Sequence, residues 1–251
     1  MKSFSMAGAA AFALALTACS GGGGNNGTAS LAPTNGPVAN VAAPNGGDWT
    51  QTVSETQLGF LMGNPNAPVK LVEYASITCP HCAEFTTEGG AEGIQSYVRS
   101  GRVSWEYRPF MLQFPTDPGL FALLRCNGAA SYFQLAEQLY AEQRNWVDRL
   151  QTYIGQNETS LNALEGGARA KALVTGAGLD AFFRQRGMTQ QQIDQCLANP
   201  ANLQRVAEDT QRGAQQDNVT GTPTFFINGT QQDGVGLWRD LEPRLRQAVG
   251  G

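Results

Sequence analysis

The stretch that most constrains this chain is Val69-Lys70-Leu71-Val72-Glu73-Tyr74-Ala75, followed shortly by Cys79-Pro80-His81-Cys82. The first segment is apolar at most positions, the pattern of a central strand covered on both faces. Glu73 is the exception: a carboxylate there either turns out to solvent or is kept for chemistry, because burying it unpaired is costly. Residues 83–99 can be written as a helix with Phe85, Ile94, Tyr97 and Val98 on its core face. Gly89, Gly90 and Gly93 weaken its middle by about 1 kcal/mol each, which predicts a kink or break. Gly101 is the stop, and residues 103–108 read as the next strand, completing a right-handed, parallel β-α-β unit.

The two cysteines sit where such a unit can tune a thiol. Cys79 falls at the first turn of the helix, where free backbone N–H groups and the positive end of the dipole face its sulfur. Pro80 suits the first helical position. His81, the one histidine of the chain, would add a hydrogen bond or positive charge. Each of these lowers the thiol pKa and favours the reactive thiolate. A stabilised thiolate favours the reduced pair, so the oxidised pair tends to pass its disulfide on. Cys82, one turn further in, is then the resolving thiol, and Glu73 is placed to relay its proton. The competing readings are weaker. Zinc would want a second close cysteine pair, an inert link across so short a loop would be strained, and haem attachment would need histidine where Ala83 stands. No metal and no cofactor beyond a redox-active Cys79–Cys82 disulfide is expected.

The remaining cysteines are Cys19, Cys126 and Cys196. Met1-Lys2-Ser3 and the short apolar run after it have the form of an export signal, too short to span a bilayer. The run ends in Leu16-Thr17-Ala18-Cys19, which resembles a bacterial lipobox, so residues 1–19 are expected to be removed up to a lipid-anchored Cys19. Residues 20–50 have the composition of a disordered linker. Cys126 and Cys196 can pair in an oxidising compartment, which the chain-entropy model values at about 4 kcal/mol for so long a loop; two separate buried thiols are the alternative. A net charge of −4 leaves no basic footprint for nucleic acid.

Folded structure is expected from about Asp48 to Leu58 onward, with Gly59-Phe60-Leu61-Met62-Gly63 as an edge strand. Residues 115–216 carry no strand-like alternation. Helical patterns are read at 118–127, 131–143, 145–156, 160–175, 179–185, 189–197 and 202–215, with Leu120, Leu123 and Leu124, then Phe133, Leu135 and Leu139, on core faces. Strand character returns in Phe225-Phe226-Ile227, Asn228-Gly229 is a hairpin turn, and Leu237, Leu241, Leu245 and Val249 mark a final amphipathic helix. Trp105, Tyr132 and Trp146 are read as packing residues. The layout is an α/β framework, residues 57–114 and 217–251, interrupted by an all-helical insertion, 115–216.

The strand bearing Glu73, the Cys79-Pro80-His81-Cys82 motif, and Gly221-Thr222-Pro223-Thr224-Phe225-Phe226-Ile227-Asn228-Gly229 together resemble the periplasmic thiol-disulfide oxidoreductases of the DsbA type, over residues 57–251. The resemblance implies an α/β thioredoxin fold with an inserted all-helical domain. It further implies that Pro223 is cis and lies against Cys79, with Thr222 offering backbone groups to a substrate chain. Implied partners are reduced or unfolded exported proteins and a membrane redox partner of the DsbB kind. Membrane contact is through the lipid anchor alone. Thr222 departs from the best-known DsbA toward isomerase, reductase and BdbD-like members. A disulfide isomerase or reductase is therefore an alternative to an oxidase, and a periplasmic chaperone using the same groove is another.

Overall fold

In the computed structural model, residues 37–112 and 115–251 are described. The expected signal segment, Cys19 and most of the expected linker lie outside them. The described residues form one compact unit around a six-stranded sheet. Its strands are β1 (Val53–Glu55), β2 (Phe60–Gly63), β3 (Val69–Ala75), β4 (Val103–Pro109), β5 (Thr224–Ile227) and β6 (Thr230–Gln231), in the order β1-β2-β4-β3-β5-β6. β3 and β4 run parallel, Leu71 opposite Trp105 and Glu73 opposite Tyr107. The other pairings are antiparallel.

Two expectations about the start of the fold need correction. Residues 59–63 do not form an edge strand, because β1 pairs outside β2. The chain is also docked well before residue 50. Val38 and Val41 donate backbone hydrogen bonds to Val249 and Ser100, and the indole of the buried Trp49 donates to the Val41 carbonyl at 2.7 Å. A segment without apolar periodicity can still be held by backbone hydrogen bonds and one large side chain, which a compositional reading does not register. Gly101, at φ +70°, is needed there, since a Cβ would strike the Val41 carbonyl.

The β-α-β unit forms as expected, with the anticipated break. After α1 (Pro80–Phe85) comes a π-turn, Thr86–Gly90, with Gly89 at φ +96°, before α2 (Ala91–Arg99). Only the far half of β3 is covered on both faces. Over residues 69–72 burial alternates, and from Glu73 to Ala75 every residue is buried.

The insertion is helical throughout: α3 (Asp117–Cys126), α4 (Tyr132–Ala141), α5 (Gln143–Asn162), α6 (Gly166–Gly176), α7 (Leu179–Gln185), α8 (Gln190–Ala198) and α9 (Pro200–Gln216). The apolar faces read at Leu120, Leu123 and Leu124 and at Phe133, Leu135 and Leu139 are all buried. The insertion shares a core with the sheet. Phe60 stacks on Tyr132 with centroids 3.8 Å apart, and Trp105 packs against Phe133 at 4.7 Å. α10 (Trp238–Ala248) ends the chain with Leu241 and Leu245 buried. Among the described residues no helix is long and apolar enough to cross a membrane.

Cys126 and Cys196 are joined, tying α3 to α8 with Cα atoms 6.3 Å apart across 70 residues of sequence. Replacing both by alanine is expected to lower the unfolding free energy by about 4 kcal/mol in the chain-entropy account. A denaturant midpoint that does not move would show that the link adds nothing to the packing already around it.

Candidate active site

Cys79 is the N-cap of α1, and its sulfur accepts the backbone N–H of Cys82 at 3.4 Å. Pro80 follows at the first helical position, where a missing N–H costs nothing. The local sequence therefore puts a sulfur where an N-cap oxygen normally stands, facing donors that favour negative charge. Across the loop, the Thr222–Pro223 peptide bond is cis, and the Cys79 thiol lies 3.3 Å from the Thr222 carbonyl, to which it donates. The Thr222 hydroxyl is buried and forms no hydrogen bond among the described residues.

These contacts separate the two thiols electrostatically. The Cys82 thiol, donating to the Cys79 sulfur, holds Cys79 down to about 6 against the opposing effect of burial. Thr222 and the backbone N–H groups of Cys82 and His81 assist. Burial pushes Cys82 in the opposite direction, well above the ordinary thiol range. Cys79 is thus the more acidic of the two thiols, the one with thiolate character near neutral pH, while Cys82 stays protonated.

His81 does not act as its residue type suggested. Its side chain is 76% exposed and turned toward Glu84, with Nδ1 3.4 Å from Oε2. Its influence on the sulfur runs through its backbone N–H. An imidazole on the first turn of a helix points outward along the surface, whereas the turn's N–H groups point at the cap.

Glu73 is fully enclosed on β3 beneath the motif, and burial raises it to about 8. The Trp105 indole donates to its Oε2 at 3.0 Å, so Trp105 does more than fill space. The signal for this was available: a buried carboxylate on a central strand demands a donor from the next strand. Glu73 makes no direct hydrogen bond to either thiol. Tyr107 and Tyr140, whose hydroxyls are 2.7 Å apart, are each influenced by both Glu73 and Cys82.

Two further residues had no signature in the sequence. Gln143, at the start of α5, donates to the carbonyls of Ile77 and Cys79 at 2.8 and 2.9 Å. Asp117, at the start of α3, accepts from the Ser76 hydroxyl at 2.8 Å, from the Thr78 hydroxyl at 3.0 Å and from the Leu112 N–H at 3.1 Å. The helical insertion therefore grips the loop that delivers Cys79. Among the described residues, no group of three or more histidine, cysteine or acidic side chains converges on a possible metal position.

The pH dependence of stability follows from Glu73. Unfolded, this carboxyl ionises near 4.5; folded, it keeps its proton to about 8. Between those values the folded state binds more protons than the unfolded, so stability falls as pH rises through the interval, by up to about 5 kcal/mol. Glu73→Gln is expected to remove that fall. Unfolding of the disulfide forms, in which neither Cys79 nor Cys82 titrates, should diverge between variant and parent at pH 9 and converge at pH 5. Parallel curves would place Glu73 in a more polar setting than its burial indicates.

Comparison with known proteins places the chain in a family. A family model described as thioredoxin matches residues 55–242. A putative protein-disulfide oxidoreductase of Rickettsia bellii is 24% identical over 178 residues, which cover 71% of this chain and 60% of that protein. The chain thus spans little more than half the length of the curated relatives it matches. The structure of a protein-disulfide isomerase from Novosphingobium aromaticivorans superposes with a TM-score of 0.70 at 29% identity, covering 76% of this chain and 97% of that one. Wolbachia pipientis alpha-DsbA1 superposes with a TM-score of 0.60 at 19% identity, over 76% and 90%. By sequence and by fold, the chain belongs to the thioredoxin family and has the helix-inserted architecture of its DsbA-type oxidoreductases.

Proposed function

We propose that this protein is an extracytoplasmic thiol-disulfide oxidoreductase that donates its Cys79–Cys82 disulfide to exported proteins. The observation that carries the reading is the split between the two thiols: Cys79 lowered to about 6 at a helix N-terminus, and Cys82 buried and raised. A substrate thiolate attacks the Cys79 sulfur and breaks the Cys79–Cys82 bond. Cys82 leaves as a thiolate and takes a proton held by Glu73. A second substrate thiolate then attacks the substrate sulfur of the mixed disulfide and releases Cys79 as its stabilised thiolate. The substrate loses two electrons and gains a disulfide; the protein gains the two electrons. Recharging runs the same steps backward against a membrane partner of the DsbB kind, with Cys82 returning its proton to Glu73 before it attacks.

Thr222 and Pro223 lie beside the reactive sulfur. They suit a groove in which the backbone of a reduced or unfolded chain docks next to Cys79. The export signal and Cys19 lipobox read in the sequence support an anchored position on a bacterial membrane, facing the periplasm or its equivalent. A second reading, isomerase or reductase, is favoured by one observation: the structurally similar Novosphingobium protein is named an isomerase.

The reduction potential separates the two. A thiol near 6 lies between thioredoxin's, about 7, and DsbA's, about 3.5. The Cys79–Cys82 couple is accordingly expected between about −270 and −120 mV, with the absorbance of the Cys79 thiolate titrating near 6. A potential at or below thioredoxin's would overturn the donor role. Cys82→Ala, its Cys79 first charged as a mixed disulfide with glutathione, should exchange with the thiols of reduced exported proteins, release glutathione and accumulate substrate mixed disulfides on Cys79. Failure to trap any would remove the protein-substrate reading and leave a binding role for the groove.

A further inference from the structure

Glu73 is 1% exposed and Cys82 is fully buried, so a proton passed between them cannot reach water where they stand. Glu73 as the proton partner of Cys82 is the reading on which the following rests. Each turnover, Glu73 must regain or lose that proton through the protein.

A small internal cavity of about 10 Å³ lies at Glu73, walled also by Thr86, Trp105, Tyr140 and Glu137. That volume is at the lower limit for one water, and its walls carry the polar partners a water needs. Glu137, on α4, also lines a separate open cleft of about 260 Å³ on its other side, bounded by Thr50, Gln51, Gln95 and Gln134. One carboxylate therefore borders both the enclosed space beside Glu73 and a cleft that communicates with solvent.

The surroundings of Glu137 leave it able to carry a proton. It takes part in no salt bridge among the described residues. Gln95 of α2 donates to Oε1 at 2.7 Å, and no hydrogen bond to Oε2 is formed there. The titratable groups around it are Glu73 on β3, Tyr107 on β4, Glu92 on α2 and Tyr140 on its own helix. None is a cation that would pin it in the charged form. Burial raises Glu137, with Glu92 reinforcing the shift and Gln95 opposing it. Burial raises both carboxyls, and the charge of Glu137 adds to the shift of Glu73, so the two are electrostatically coupled.

We propose that Glu137 is the outer station of the proton path of Cys82, linking Glu73 across the small cavity to solvent in the open cleft. When the disulfide is opened, the Cys82 thiolate takes the Glu73 proton, and Glu73 is reprotonated from the cleft by way of Glu137. When the disulfide re-forms, Glu73 first releases its proton to the cleft by way of Glu137 and then takes the proton of Cys82, which leaves it protonated for the next opening. No electrons pass along it, and Glu137 ends each cycle as it began. Glu137 touches neither substrate nor sulfur; it is a positioning residue for the proton of a buried base.

The step that reports on this is release of glutathione from a Cys79–glutathione mixed disulfide, which requires Cys82 to lose its proton and attack. It can be followed across pH in the full-length protein, the parent beside Glu137→Gln, Glu137→Asp and Glu73→Gln. Glu137→Gln is expected to slow release by about tenfold or more, to leave the Cys79 thiolate titration where it was, and to be restored by added imidazole, a diffusible base small enough for the cleft. Glu137→Asp should keep most of the parent rate, which shows that the helix has folded normally around the site. A Glu137→Gln protein with the parent rate and pH profile, beside a slow Glu73→Gln, would overturn the path through Glu137 while leaving Glu73 in its role. A slow Glu137→Gln that imidazole does not restore would also overturn it, in favour of a packing defect. A parent-like Glu73→Gln would instead sink the reading beneath it.

Discussion

The site depends on one local interaction: a sulfur, in place of an oxygen, caps the N-terminus of a helix. Cys79 accepts the Cys82 N–H at 3.4 Å at the point where four backbone donors have no helical partner. This makes the nucleophile's charge part of the helix's own hydrogen bonding. The remaining features keep that arrangement in register. Gln143 and Asp117 tie down the carbonyls and hydroxyls of residues 76–79 from the helical insertion, and Thr222 approaches the sulfur from the far side. The insertion that looks like an appendage in sequence is, in space, the clamp on the loop that carries Cys79.

The cost of this design is concentrated at Glu73. A carboxyl enclosed among Trp105, Tyr107, Phe133 and Tyr140 opposes stability wherever it would otherwise be ionised. It is held neutral near neutral pH mainly by burial, with a single indole donor opposing that effect in part. A buried acid kept protonated at neutral pH can store a proton and return it, which is what the proposed exchange asks of Glu73. Stability given up at such a position is the usual mark of a functional residue.

Much of the frame was legible. The apolar run of β3, the glycine-weakened helix after the motif, the heptad-like faces of α3 and α4 and the return of strand character at Phe225 all follow from short-range periodicity, and each is where the pattern placed it. The misreadings share a cause. β1 is three residues long, too short for alternation to register. The docked segment 38–49 is held by backbone hydrogen bonds, which composition does not encode. His81 was weighed by residue type, but its direction on the helix turned its ring to Glu84.

By itself the sequence determined the chemistry available: two cysteines at a strand-to-helix junction, a proline at the first helical position and a lone acid on the strand below. These are local relations, fixed by helix and strand geometry within about ten residues. The tertiary structure decided how that chemistry is tuned. The Trp105 donor to Glu73, the Gln143 and Asp117 grip on the loop and the Cys126–Cys196 link join residues from 32 to 70 positions apart, and the place of Glu137 beside two cavities depends on the same packing. Contacts of that kind arise when separate elements pack into one core, and no periodicity along the chain records them.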